Sequence, residues 1–111
     1  MSVIVEPTVL APFEIWSVPL DEHRSIKFYE PLIVQPVVLD QGTPEECFYA
    51  EYPKLDISAV GIDFDELQSC LRSDIRMTWK RVVQKHSREL KPDEQIIRRR
   101  WLDTAEEVND E

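Results

Sequence analysis

Glycine and cysteine are scarce in this chain: Gly42, Gly61, Cys47 and Cys70 are all it has in 111 residues. Two isolated glycines cannot build a Walker or dinucleotide-type phosphate loop, so nucleotide chemistry through those motifs is excluded. The cysteines form no Cys-x-x-Cys pair, and the disulfide framework of a secreted mini-protein is missing. They read as two reduced, partly buried thiols. No stretch approaches the roughly 20 apolar residues of a membrane span. The first ten residues carry no Lys or Arg and contain Glu6 and Pro7, which is not a signal peptide. A cytoplasmic protein with no membrane contact is the expectation.

Catalytic chemistry is also hard to assemble. The two histidines are His23, in the polar run Asp21-Glu22-His23-Arg24, and His86, placed by periodicity near the end of a long helix. The first reads as a solvated turn and the second as a packing residue. A Cys–His pair would need Cys47 or Cys70 to meet one of them in space, which spacing does not show. The carboxylates Asp63, Asp65 and Glu66 could resemble a metal cluster, but a helix start needs acceptors for its unpaired N–H groups, and capping accounts for Asp63 and Glu66 without a metal. We expect no enzyme, no metal and no cofactor.

What is present is a chain that changes character midway. Seven of eight prolines (Pro7, Pro12, Pro19, Pro31, Pro36, Pro44, Pro53) fall in the first half, a density that breaks helices but is tolerated at strand edges and turns. Between them lie β-branched and aromatic runs at 3–5, 13–18, 26–29, 32–39 and 47–52. Strict alternation over 13–18 puts Phe13, Ile15 and Ser17 on one face, with Glu14, Trp16 and Val18 on the other. Asp40-Gln41-Gly42-Thr43-Pro44 is a turn signal joining two runs as an antiparallel hairpin. A last short strand, 57–60, is closed by Gly61.

Beyond it the period becomes helical. Asp63 with Glu66 three positions on makes a capping arrangement. Phe64, Leu67, Leu71, Ile75, Thr78, Trp79, Val82 and His86 then share one side of a helix predicted over 64–88. Pro92, followed by Asp93 and Glu94, opens a second helix that should bury Ile96, Ile97 and Trp101. The tryptophans, one per element at 16, 79 and 101, suggest helices packed on a sheet. Five carboxylates and no base in 103–111 predict a frayed acidic tail. The expected architecture is one α+β domain over 1–102, mostly β in 1–62 and two helices in 63–102. Its antiparallel β-sheet has four to six strands, with one long helix packed on it and a short C-terminal helix.

The net charge of −9 is unevenly distributed. Residues 72–100 hold ten Lys or Arg against four acids, while the flanking segments are strongly acidic. Arg72, Arg76 and Lys80 form a stripe that an anionic partner could contact, although an ordinary solvated face accounts for it as well. The acidic β half would suit a basic protein partner.

The run Phe48-Tyr49-Ala50-Glu51-Tyr52-Pro53-Lys54-Leu55-Asp56, the short strand to Gly61 and the capped helix with Glu66 resemble the HicB-like antitoxin family over about residues 28–88. Tyr49, Ala50, Pro53, Leu55, Gly61 and Glu66 follow that family's order, with Asp56-Ile57 where a Pro-Gly pair is usual; residues 1–27 have no counterpart. The resemblance implies a truncated ribonuclease-H-like fold without nuclease activity, binding a small basic toxin, with DNA binding in many members. The expected function is therefore a non-catalytic protein-binding module, antitoxin-like or regulatory. Its expected contacts are Tyr49, Glu51, Tyr52 and Asp56 at a sheet edge, and a homodimer is plausible because strand edges invite pairing. The alternatives are a nucleic-acid-associated regulator using the basic helix 72–100, or a homo-oligomeric structural protein.

Overall fold

The computed structural model describes residues 8–110; the strand expected at 3–5 lies outside them. The chain is α+β, and all its strand pairs are antiparallel. Among the described residues, seven strands divide between two sheets rather than forming one. Strands β1 (Thr8–Val9), β4 (Val37–Leu39), β5 (Cys47–Tyr52) and β6 (Ile57–Gly61) form the first sheet in the order β1-β4-β5-β6. Strands β2 (Phe13–Pro19), β3 (Arg24–Val34) and β7 (Ala105–Asn109) form the second, in the order β2-β3-β7. The break between sheets comes at Gln35-Pro36, where proline removes a ladder donor.

The alternation expected for 13–18 fails at Trp16. Between the pairs Ile15↔Leu32 and Ser17↔Lys27, Trp16 alone stands opposite the four residues from Phe28 to Pro31. This bulge flips the facing of β2, so Ile15 and Val18 are both buried and Trp16 is 59% exposed. On β3 the four residues opposite Trp16 preserve parity: Ile26, Phe28, Leu32 and Val34 all point inward. Pro31 inside the bulge fits, because it has no N–H to offer the ladder.

Helix α1 (Phe64–Val82) begins as its sequence reads, with the Asp63 carboxylate accepting the Glu66 N–H at 2.8 Å. Its buried stripe is Leu67, Leu71, Ile75, Thr78, Trp79 and Val82. Gly61 is required just before it, since a Cβ there would lie 2.5 Å from the Leu67 backbone nitrogen. The helix ends earlier than predicted. Arg98 of helix α2 (Pro92–Thr104) donates from one guanidinium nitrogen to the carbonyls of Val82 (3.2 Å), Val83 (2.7 Å) and Lys85 (3.1 Å). These carbonyls have no helical partner, and the cation also suits the negative helix end. His86 therefore falls outside α1 and is exposed, instead of packing on its apolar side.

Helix α2 opens at Pro92, as predicted, but it buries less than expected. Trp101 is fully buried and Ile97 half-buried, whereas Ile96 is exposed. Trp101 packs against Phe28 and edge-on to Trp79, and its indole N–H donates to the Leu55 carbonyl at 3.0 Å. One core runs through both sheets and both helices. The acidic segment after 103 is not a frayed tail: residues 105–109 are β7, paired with Arg24 through Phe28 of β3. The Glu107 carboxylate holds it, accepting from Trp79 Nε1 (3.2 Å), Gln84 (3.0 Å) and Arg24 (3.2 Å). Among the described residues, no helix is long and apolar enough to cross a membrane.

Candidate partner-binding site

The residues expected to share a sheet edge are separated by the fold. Strand β5 lies between β4 and β6, so Tyr49 is paired on both sides and sits within the sheet, whereas Glu51 lies beyond the end of β4 and pairs only with Ser58 of β6. Tyr49 donates its hydroxyl proton to Glu51 at 2.8 Å. That bond, with burial and the nearby negative charge, raises the phenol pKa above its ordinary value, because the phenolate could not donate. Tyr52 has the opposite facing and packs against the core. Asp56 follows a single 3-10 turn (Pro53–Leu55) in the left-handed conformation, φ 58°, and pairs with Arg81 at 3.1 Å. Arg81 also reaches Glu94 at 3.2 Å, tying this turn to α2.

The basic stripe is largely turned inward. Arg72 donates to the Ser17 carbonyl at 3.2 Å, and Arg76 to the Pro19 carbonyl at 3.5 Å. An i,i+4 pair on a helix thus matches an i,i+2 pair of outward carbonyls on β2, whose outer side no strand covers among the described residues. On the other flank of α1, Asp74 accepts the outward N–H of Ser58 on β6 at 2.9 Å. Arg98 closes the end of α1, and Arg100 donates to the Lys54 carbonyl at 3.4 Å. Lys80 is exposed and makes no hydrogen bond or ion pair among the described residues. Of the ten basic residues in 72–100, four are spent on backbone carbonyls and Arg81 on two carboxylates.

What the fold brings together instead is a cleft of about 380 Å³ between the β3 bulge, the end of β5 and the end of α2. Its walls carry Tyr29, Glu30, Tyr52, Lys54 and Asp103. Tyr29 is 56% exposed, and neither Glu30 nor Asp103 has a hydrogen-bond or ion-pair partner among the described residues. Two aromatic rings and two unpaired carboxylates against one lysine form a setting for a cation or a basic side chain. Of the predicted residues only Tyr52 belongs to it. Tyr29, Glu30 and Asp103 were not singled out by sequence; the proline-centred Tyr29-Glu30-Pro31 break was the one available signal.

His23 lies in a turn where the Asp21 carboxylate accepts the backbone N–H groups of His23 (2.9 Å) and Arg24 (2.8 Å). Arg24 also donates from its side chain to Asp21, and this bond is the largest cause lowering the Asp21 pKa. The cysteines are free, Cys47 on β5 and Cys70 on α1. Comparison of the chain with protein-family models, curated proteins and solved structures finds no match.

Proposed function

We propose that this protein is a non-catalytic protein-binding module whose partner is basic. The supporting observation is the division of its charge. Arg72, Arg76, Arg81, Arg98 and Arg100 bond within the fold, whereas Glu30 and Asp103 face an open aromatic cleft without partners among the described residues. Exposed, unpaired carboxylates attract a basic partner during encounter and disfavour an acidic one. The strand–turn–strand–helix order of β4, β5, β6 and α1 is compatible with the HicB-like resemblance, which names the same kind of partner, a small basic toxin. A nucleic-acid role would rest on the basic residues of 72–100, of which Arg72, Arg76, Arg81, Arg98 and Arg100 are already engaged within the fold.

The test is affinity capture of the tagged full chain from its native cells, beside a Glu30→Gln/Asp103→Asn variant. A small basic protein should co-purify with the wild type and fall at least about tenfold in the variant, since each lost charge contact weakens binding. Recovery of the chain alone, or with nucleic acid, would overturn the reading.

A further inference from the structure

Strand edges carry unpaired N–H and C=O groups, and this fold covers them unequally. The outward carbonyls of β2 are held by Arg72 and Arg76, and β6 has its Ser58 N–H taken by Asp74. Strand β1 is two residues long. Strand β7 is five residues long, lies at the end of its sheet, and no strand borders its outer side among the described residues.

The ladder fixes which β7 groups point outward. The Asp110 N–H donates to the His23 carbonyl at 2.7 Å, so this is a hydrogen-bonded pair. Antiparallel pairs alternate, which makes Ser25↔Val108 and Lys27↔Glu106 bonded and Arg24↔Asn109 and Ile26↔Glu107 non-bonded. The Arg24 carbonyl agrees, since it accepts from Leu20 on the β2 side. The N–H and C=O groups of Glu107 and Asn109 therefore face away from β3, along the open edge. Both residues are exposed. The strand itself is well held, by the Glu107 contacts described above and by a Ser25 hydroxyl bond to Asp110.

We propose that the outer edge of β7 receives an extended basic segment of a partner protein as a fourth strand of the β2-β3-β7 sheet. This rests on the reading above that the partner is basic, and adds where and how it docks. Main-chain bonds to Glu107 and Asn109 supply the pairing, as in other strand-addition complexes. Charge selects the occupant: the segment 103–110 holds no Lys or Arg, and of its four carboxylates Asp103 and Glu106 have no hydrogen-bond or ion-pair partner among the described residues, while Glu107 and Asp110 already accept within the fold. A second copy pairing edge to edge would bring the free carboxylates of Asp103 and Glu106 near their own kind, whereas Lys or Arg at alternate positions of an incoming strand meets them with opposite sign. Asp103 and Thr104, which immediately precede β7, also line the cleft of Tyr29 and Tyr52, so the two surfaces adjoin.

The experiment is amide exchange and titration by NMR on the full chain, with an eight-residue peptide alternating Lys and Thr as probe and a Glu–Thr peptide as control. The Lys–Thr peptide should slow exchange at the Glu107 and Asn109 amides at least about tenfold, and the control should not. Asn109→Pro removes one outward donor and should bind at least about tenfold more weakly than Asn109→Ala, which keeps it. If Asn109→Pro does not fold, as judged by near-UV circular dichroism, exchange in the wild type decides. Binding that leaves both amides unprotected, but is lost in Glu30→Gln/Asp103→Asn, would overturn strand addition and leave the basic-partner reading standing. Binding to neither peptide would overturn both. Concentration-dependent protection without peptide would assign the edge to a second copy and overturn the proposal.

Discussion

Replacing Glu107 tests whether the acidic C-terminal segment is structural. Its carboxylate accepts from a buried donor, the indole of Trp79 at 2% exposure, and from two more exposed ones, Gln84 and Arg24. In Glu107→Ala the indole N–H is left unpaired away from water, a loss of about 1–3 kcal/mol. Gln84 and Arg24 can turn to solvent, so each contributes only about 0–1 kcal/mol. The expected destabilisation is about 2–3 kcal/mol in urea unfolding followed by far-UV circular dichroism. At about 4 °C or more per kcal/mol for a domain near this size, the melting temperature falls by roughly 10 °C. Glu107→Gln, which keeps an acceptor, should lose about half as much. A double-mutant cycle with Trp79→Phe isolates the indole bond and should give a coupling near 1 kcal/mol. The carboxylate's pKa is lowered, first by the Gln84 bond and then by Trp79 and Arg24, against an opposing effect of burial. A lowered folded pKa contributes stability that is present above the ordinary value of 4.5 and lost as pH falls through the folded pKa. The gap between wild type and Glu107→Gln should therefore narrow below that pH. A Glu107→Ala variant within about 0.5 kcal/mol of wild type, the spread of an ordinary surface change, would refute the structural role.

Two further substitutions address the ends of α1. Arg98→Ala uncovers the carbonyls of Val82, Val83 and Lys85 and should destabilise by about 1–2 kcal/mol, with Arg98→Lys intermediate because one ammonium cannot reproduce the spread of a guanidinium. A urea midpoint unchanged in Arg98→Ala would contradict it. Gly61→Ala places a methyl 2.5 Å from the Leu67 nitrogen, so the β6–α1 junction must open. A loss of about 1–3 kcal/mol is expected in the same assay, and full stability would contradict that close approach.

The elements legible in the sequence were those specified by neighbouring residues. Asp63 and Glu66 mark the start of α1, Pro92 opens α2, and Asp40 and Gly42 adopt the positive φ values of the turn between β4 and β5. What was not legible depends on distant partners. The end of α1 is set by Arg98, 16 residues beyond Val82, and not by any stop signal in the 83–88 segment. The order of 105–109 is decided by Trp79 and Arg24, so a run of acids that reads as solvated becomes a strand once one carboxylate finds a buried donor. Strict alternation misplaced Val18 because the bulge opposite Trp16 is created on β3, in residues that pattern reading of β2 never consults.

The same physics explains why the candidate site moved. Formal charge locates a ligand surface only when the charged groups have no internal demand, and here a two-sheet fold creates such demand. Dividing the strands produces sheet edges at β2 and β6, and the single long helix is the element that carries charged side chains to both. Arg72 and Arg76 serve one edge and Asp74 the other, which removes the most conspicuous basic residues from recognition. Among the groups left free are ones at breaks and ends: Glu30 on the bulge, Asp103 in the last turn of α2, and the outward amides of β7. A charge-reversal pair separates these roles. Arg72→Glu/Arg76→Glu should destabilise the fold and leave the residual folded protein's affinity for the Lys–Thr peptide unchanged. Glu30→Lys/Asp103→Lys should do the opposite, with stability within about 0.5 kcal/mol of wild type, as for surface changes away from packing. Equal losses of stability and affinity in both variants would show that the two sets of charges are not separable.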